Sequence, residues 1–439
     1  MTAVSADVVG ELDAIAARAA ESARAPSLVA ATFHRGTLAW QTEIGAAATQ
    51  YRIGSITKTF TAVAVARLWE RGVVELDDPI RAHVPDAPYG ERTIRQLLAH
   101  SSGITAEPAG QWWERVPGAG WCDLVAANPD DQQVFAPGLR HHYSNLGFAL
   151  LGELVARHRD GSWWEAVRQE LVIPLGLNDT TYLPGDRAAI GTSRDPSDGR
   201  LFREPAHDAG AMAPAGQLWS TVHDLARWGD LLAVGSPGVI GAATIAQLQT
   251  AIAVDPETQH TGGYGLGLRL RWRESSTLVG HTGSMPGFLA ALFVDPGTRV
   301  GAVLLANVTT GVDVERVVAQ LVESSEPTSV ATVDAPEKSA VGARAGVELA
   351  GEWYWGNTAM TLTSTQEGFD LVSDGVARTF VEIGADHYRG RTGYFAGEDL
   401  RVVRRSDGAP AYLSVVTFVL TRTPYDPEAP IPGGPPDPL

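Results

Sequence analysis

The chain is poor in two residues that most enzymes use freely. It has one cysteine, Cys122, in 439 residues, which rules out an internal disulfide and any zinc site built from cysteines, and which agrees with a reducing compartment. Lysine is nearly missing as well. Only Lys58 and Lys338 occur among 34 basic residues, so almost all positive charge is arginine, and a position that keeps lysine in such a chain calls for a titratable amine. No stretch is long and apolar enough for a membrane span. The opening residues, MTAVSADVVGELDAIAARAAESARAP, have neither the basic nor the apolar region of a secretory signal. A cytoplasmic protein is the expectation. The net charge of −17 disfavours nucleic acid, whose phosphates need a clustered basic surface, and argues for solubility rather than for any partner.

What is present suffices for a large core. With 44% hydrophobic residues over 439 positions, two or three units of roughly 100–200 residues each are expected. The opening stretch reads as an amphipathic helix, followed by two apolar runs around His34-Arg35-Gly36-Thr37, a β-hairpin signature. Residues 55–71 then read as a helix that is apolar on most sides and stops at Gly72, so it belongs in a core. Helical patterns dominate from 91 to 232, with Thr221 and Asp224 placed for a capping box. From 264 to 307 strands return, before a last helix near 312–323. The predicted organisation is a catalytic domain over 1–323, a polar linker over 324–345, a small all-β barrel over 346–426, and a tail over 427–439 too rich in proline and glycine to pack.

Three short stretches carry chemistry. In YRIGSITKTF, Ser55 and Lys58 stand three apart and share one face of a helix. A lysine buried there with few counter-charges loses basicity and can take the serine proton. The plain alternative, a capping serine followed by a surface lysine, fits badly, because a cation in the first turn opposes the helix dipole and the rest of the helix is apolar. PGLRHHYSNLGFALLGELV places Tyr143 and Asn145 on a loop ahead of a helix. LVGHTGSMPGF places His281, Thr282 and Gly283 on a strand running into a turn. Read singly, Tyr143 is a half-buried core tyrosine, Asn145 a helix cap and His281 a satisfied strand histidine. His141 and His142, being adjacent, suit one metal badly.

Together and in this order the three stretches resemble the S-x-x-K, Y-x-N and K/H-T-G motifs of the penicillin-recognising serine enzymes: serine D-Ala-D-Ala carboxypeptidases, class C β-lactamases and related esterases. The likeness runs through TIRQLLAHSSGI, IPLGLNDTTY and PAGQLWSTVHDLARWGD. It implies an α/β fold, an antiparallel sheet flanked by helices with an all-helical subdomain, β-lactamase/DD-peptidase-like. It also implies Ser55 as nucleophile, Lys58 and Tyr143 sharing the base role, and Asn145 orienting Lys58 and holding the substrate amide. The backbone N–H groups of Ser55 and Ser284 would form the oxyanion hole, His281, Thr282 and Gly283 would bind substrate, and neither metal nor cofactor is needed. His281 stands where lysine is usual in the β-lactamases, which moves the resemblance toward carboxypeptidases, D-aminopeptidases and acyltransferases. Gly351 and Trp353 in GEWYW, with Arg422 on the last strand, are similar to lipocalin-like barrels.

The implied partner is a small-molecule or peptide acyl substrate, free or carrier-protein-bound, with no nucleic acid and no membrane. The chain is similar to one specialised branch, the penicillin-binding-protein-type thioesterases that release and cyclise nonribosomal peptides. Its competitors are a cytoplasmic esterase or D-residue peptidase, a module that is acylated without turnover, and a chain in which the barrel holds the real ligand. Oligomeric state is not legible.

Overall fold

The structure, a computed structural model, describes residues 5–46, 49–129, 133–254, 261–326, 348–373 and 375–439. The expected linker lies outside them from 327 on. The chain divides into two units, Met1–Ser193 with Arg203–Ser325, and Arg194–Phe202 with Glu326–Leu439.

The first unit is built on a seven-stranded antiparallel sheet. Its strands are β1 (Ser27–His34), β2 (Thr37–Gly45), β3 (Gly262–Tyr264), β4 (Arg269–Trp272), β5 (Thr277–Met285), β6 (Phe288–Val294) and β7 (Val300–Ala306), in the order β2-β1-β7-β6-β5-β4-β3. The N-terminal hairpin therefore completes a sheet whose other strands lie more than 200 residues later, with β1 paired to β7 from Leu28–Ala306 to His34–Val300. Both faces are covered, which is why β1 is buried without alternation from Ser27 to Phe33. Leu28 and Ala30 face a cluster with Leu12, Ile15, Val318 and Leu321, from helices Ala6–Ala23 and Val314–Ser325. Val29 and Ala31 face the opposite way, into the large cluster that holds Phe60 and Trp228.

That second cluster contains α1 (Thr57–Glu70), entered through the single 3-10 turn Gly54–Ile56. Every residue from Thr57 to Leu68 is buried, so the helix is a core element, as its all-round apolar pattern predicts. Trp228 stacks on Phe60 at 3.8 Å and its indole N–H reaches Thr59 Oγ1 at 2.7 Å. Against α1 lie the helices Asn145–Arg157, Trp163–Val167 and Ala213–Gly216, with Ile94–Leu98 packed on the first of them. Thr221 caps the helix Val222–Val234 by accepting Asp224 N–H. The expected box is only half made, because the Asp224 carboxylate turns to Asp179 N–H and Thr180 Oγ1 instead.

The second unit holds a closed antiparallel barrel of eight strands between Gly351 and Thr421, each paired with the next and the first with the last. Closure removes the exposed edges that a small sheet would present. Arg422 lies over the Trp353 ring at 4.0 Å and donates to the carbonyls of Glu348, Ala350 and Glu352. Trp353 is fully buried and donates to Leu349 O. The tail is extended but paired: Asp437–Pro438 forms a strand beside Leu201–Arg203, and Leu439 N–H meets Leu201 O at 2.9 Å.

Removing the Arg422 fork by Arg422→Ala leaves three carbonyls and an aromatic face without their cation. Thermal unfolding is expected to show a loss of about 1–3 kcal/mol, with the far-ultraviolet signature of the remaining fold retained; an unchanged transition would mean that the fork contributes nothing to the barrel.

Candidate active site

Two backbone approaches build the site. Gly54, at φ 50°, opens the turn before α1, and a Cβ there would lie 2.6 Å from Ser284 N and 2.8 Å from Ser284 O. A Cβ on Gly283 would lie 1.9 Å from Ile53 O and 3.3 Å from Ser55 N. Neither position tolerates a side chain, so β5 lies directly against the turn. The N–H groups of Ser55, at a helix start, and of Ser284, on the strand end, are thereby brought to one place.

Lys58 follows one helical turn later. It is fully buried, and its Nζ donates to Ala215 O at 2.7 Å and to Ser55 Oγ at 2.9 Å. The Tyr143 and Phe148 rings lie 4.9 and 5.7 Å from Nζ. Burial pulls the amine down to about 7, and the nearby charges of Glu107 and Glu114 only partly oppose it. A neutral amine keeps one N–H for Ala215 O and has a lone pair for the serine proton. Tyr143 bonds to Ser55 as well, but burial holds its phenol above the ordinary value, so the resting phenol is protonated.

Asn145 is the first residue of its helix, and Ser144 is the cap, accepting Gly147 N–H at 3.0 Å. The Asn145 amide nitrogen donates to Glu107 Oε1 at 2.6 Å, which turns its carbonyl oxygen the other way. Glu107 Oε2 accepts from Trp113 Nε1, and Glu114 Oε2 from Trp112 Nε1, each at 2.7 Å. Burial and the Glu107 charge raise the Glu114 carboxyl to about 7.

His281 is buried on β5. Its Nδ1 meets Thr282 O at 2.5 Å, and a carbonyl only accepts, so Nδ1 carries the proton. Nε2 is then the acceptor for the Tyr264 hydroxyl at 2.7 Å. Burial, followed by the Lys58 charge, pushes the ring down to about 3. It is neutral at any physiological pH, and both nitrogens are engaged within the protein. Thr282 is half-buried and Ser284 exposed beside it.

All the residues singled out in the sequence, Ser55, Lys58, Tyr143, Asn145, His281, Thr282, Gly283 and Ser284, thus belong to one region around α1 and β5. Sequence reasoning missed Glu107, Glu114, Ala215 and Tyr264. The two acids flank the tryptophan pair of AEPAGQWWE, and carboxylates beside large aromatics are the one signal that pointed to them. Ala215 contributes only a carbonyl, which has no signature.

A serine in a tight turn, a fully buried lysine bonded to it and a strand lying against that turn form one compact cluster. The family described as Beta-lactamase matches residues 12–324, and the chain belongs to it, within the β-lactamase/penicillin-binding-protein superfamily of serine hydrolases. A domain of unknown function (DUF7586) matches residues 343–422. Penicillin-binding protein 4 of Amycolatopsis lactamdurans is 29% identical over 306 residues, 64% of this chain and 77% of its own length. The human protein called putative beta-lactamase-like 1 is 27% identical over 329 residues, 68% of this chain; the match spans 64% of that relative's length. The crystal structure of a D-stereospecific amidohydrolase from Streptomyces sp. is 26% identical, with a TM-score of 0.59, over 69% of this chain and 96% of that one. Among the described residues no helix is long and apolar enough to cross a membrane.

Replacing Lys58 by methionine keeps the volume and removes the buried amine. Its group binds a proton in the unfolded chain up to about 10.5 but in the folded one only up to about 7, so wild-type stability rises with pH across that window. Lys58→Met is expected to melt above wild type at pH 6, with the gap closing between pH 7 and 10. A variant that melts lower throughout would show that Lys58 is held as a satisfied cation.

Proposed function

We propose that the chain is a cytoplasmic serine acyl-enzyme former acting on ester, thioester or amide carbonyls of peptide-like donors. The observation that carries this is the Lys58 amine, fully buried and 2.9 Å from Ser55 Oγ. Ser55 Oγ attacks the carbonyl carbon as its proton passes to neutral Lys58. The oxygen gains negative charge and is met by the N–H groups of Ser55 and Ser284, where one donor is worth about 3–4 kcal/mol. Lys58, now cationic, returns the proton through the Tyr143 hydroxyl to the leaving group as the tetrahedral intermediate collapses. An acyl-Ser55 remains. Water or an amine then attacks it with the proton flow reversed.

Two observations narrow the donor. A neutral His281 with both nitrogens engaged offers no cation to a substrate carboxylate, and Arg269, whose charge reaches it, is held by Glu315 at 2.7 Å. This disfavours a carboxypeptidase and favours amides, esters and thioesters without a terminal carboxylate in the leaving group. On the other side, the Glu107 carboxyl, with Glu114 beside it raised to about 7, offers acceptor oxygens and shared negative charge for an amine. Such an amine is either the free α-ammonium of a D-residue amide, in line with the D-stereospecific amidohydrolase, or the peptide's own nucleophile in a macrocyclising thioesterase fed by a carrier-bound thioester. The two differ in the donor, an amide or a carrier-bound thioester, and in what attacks acyl-Ser55, water or the peptide's own amine.

Intact-protein mass spectrometry with D- and L-residue amides and a peptidyl thioester, each against Ser55→Ala, tests the reading. A Ser55-dependent adduct with D-donors is expected, its formation rising with pH through about 7 as Lys58 deprotonates, and slowed about 10²–10⁴-fold in Lys58→Met. Resolution to a linear acid identifies a hydrolase, and to a product one water lighter a cyclase. No adduct from any donor would sink the proposal.

A further inference from the structure

His100 occupies a position its residue type should avoid. The helix Ile94–Leu98 is capped by Ala99, and His100 follows at φ 52°, the left-handed place past a helix end that glycine usually fills, because a side chain there crowds the backbone. It is also fully buried, and its Nε2 has no hydrogen-bond partner among the described residues. A strained backbone and an unsatisfied buried polar atom on one residue call for a compensating role.

That role is visible in what His100 holds. Its Nδ1 accepts Ser144 N–H at 3.0 Å, and its carbonyl accepts His142 N–H at 2.7 Å. Its ring lies 4.1 Å from the Tyr143 ring, tilted by 34°, and 4.6 Å from Tyr264. Both chain neighbours of Tyr143, and the phenol ring itself, are gripped by a single residue. Further bonds continue the seam: Ser144 Oγ to Thr105 O and Asn145 N–H to Ala106 O, each at 2.7 Å. Glycine at position 100 would relieve the backbone and supply neither the acceptor nor the ring.

We propose that His100 is the positioning residue for Tyr143, fixing the phenol over Lys58 and Ser55 chiefly through the bond that Nδ1 accepts from Ser144 N–H, without touching substrate. This rests on the reading of Tyr143 as the proton relay. A phenol displaced by about 1 Å costs as much as 10²-fold in rate.

The experiment compares His100→Phe, which keeps a ring but has no acceptor, with His100→Asn, whose Oδ1 replaces Nδ1 and whose side chain tolerates the left-handed backbone. Single-turnover acylation by the donor that labels Ser55 is expected to slow about 10- to 100-fold in His100→Phe, with KM within about threefold. His100→Asn should recover to within about threefold of wild type. Acylation by His100→Phe at the wild-type rate, or no recovery in His100→Asn, overturns the inference. Hydrogen exchange at the Ser144 amide reads the same contact without any reaction. Protection kept in His100→Asn supports the inference, and protection lost with acylation undiminished contradicts it. If His100→Phe does not fold, this arm decides. If wild type acylates nothing, the functional reading falls while the exchange arm still judges the contact.

Discussion

The site depends on one constraint, an amine kept out of water one helical turn from a hydroxyl. Desolvation is the largest influence on Lys58 and is not cancelled, because the acids that reach it, buried Glu107 and half-buried Glu114, are tied to indole N–H groups. Had either acid formed a direct ion pair with Lys58, the amine would have stayed a cation and could not accept the serine proton. Placing the acids at the wall rather than against Nζ gives a lysine poised near neutrality.

The fold follows from the need to bury that helix. A core helix with no polar face needs cover on all sides, and here a sheet closed by strands from both ends of the domain covers one side, with helices around the rest. The same sheet brings β5 against the nucleophile turn, and the glycines at 54 and 283 let two backbones meet where side chains would keep them apart. The strand that covers the helix also carries Ser284, whose backbone N–H is the second oxyanion donor in the proposed reaction. A third element, the segment from His100 to Glu107, holds the Tyr143 loop by hydrogen bonds at 142, 144 and 145.

Much of this was legible in the chain because it is local. The apolar pattern of 55–71 and the hairpin at His34–Thr37 are short-range, and the structure forms both; the motif residues come together around one helix, with Asn145 opening a helix rather than lying on the loop before it. Gly351, Trp353 and Arg422 read as a barrel signature, and the structure lays Arg422, just past the last barrel strand, over the Trp353 ring. Other features were illegible for physical reasons. The Asp224 carboxylate looks like half of a capping box, but a residue far along the chain, Thr180, outbids the local amide. Of the strands expected from 264 on, the first is interrupted: one short strand ends at Tyr264 and the next starts only at Arg269. The neutrality of His281 depends on Tyr264 and on burial, neither of which the H-T-G motif encodes.

The scarcity of lysine makes the central claim directly measurable. Protein carrying ε-15N-lysine has two amine signals, from Lys58 and Lys338, and Lys338→Arg leaves one. The account predicts that this remaining signal titrates near pH 7. A signal that stays cationic until about 10.4, the ordinary lysine value, would show that Lys58 is no base at neutral pH and would remove the foundation of the proposed reaction.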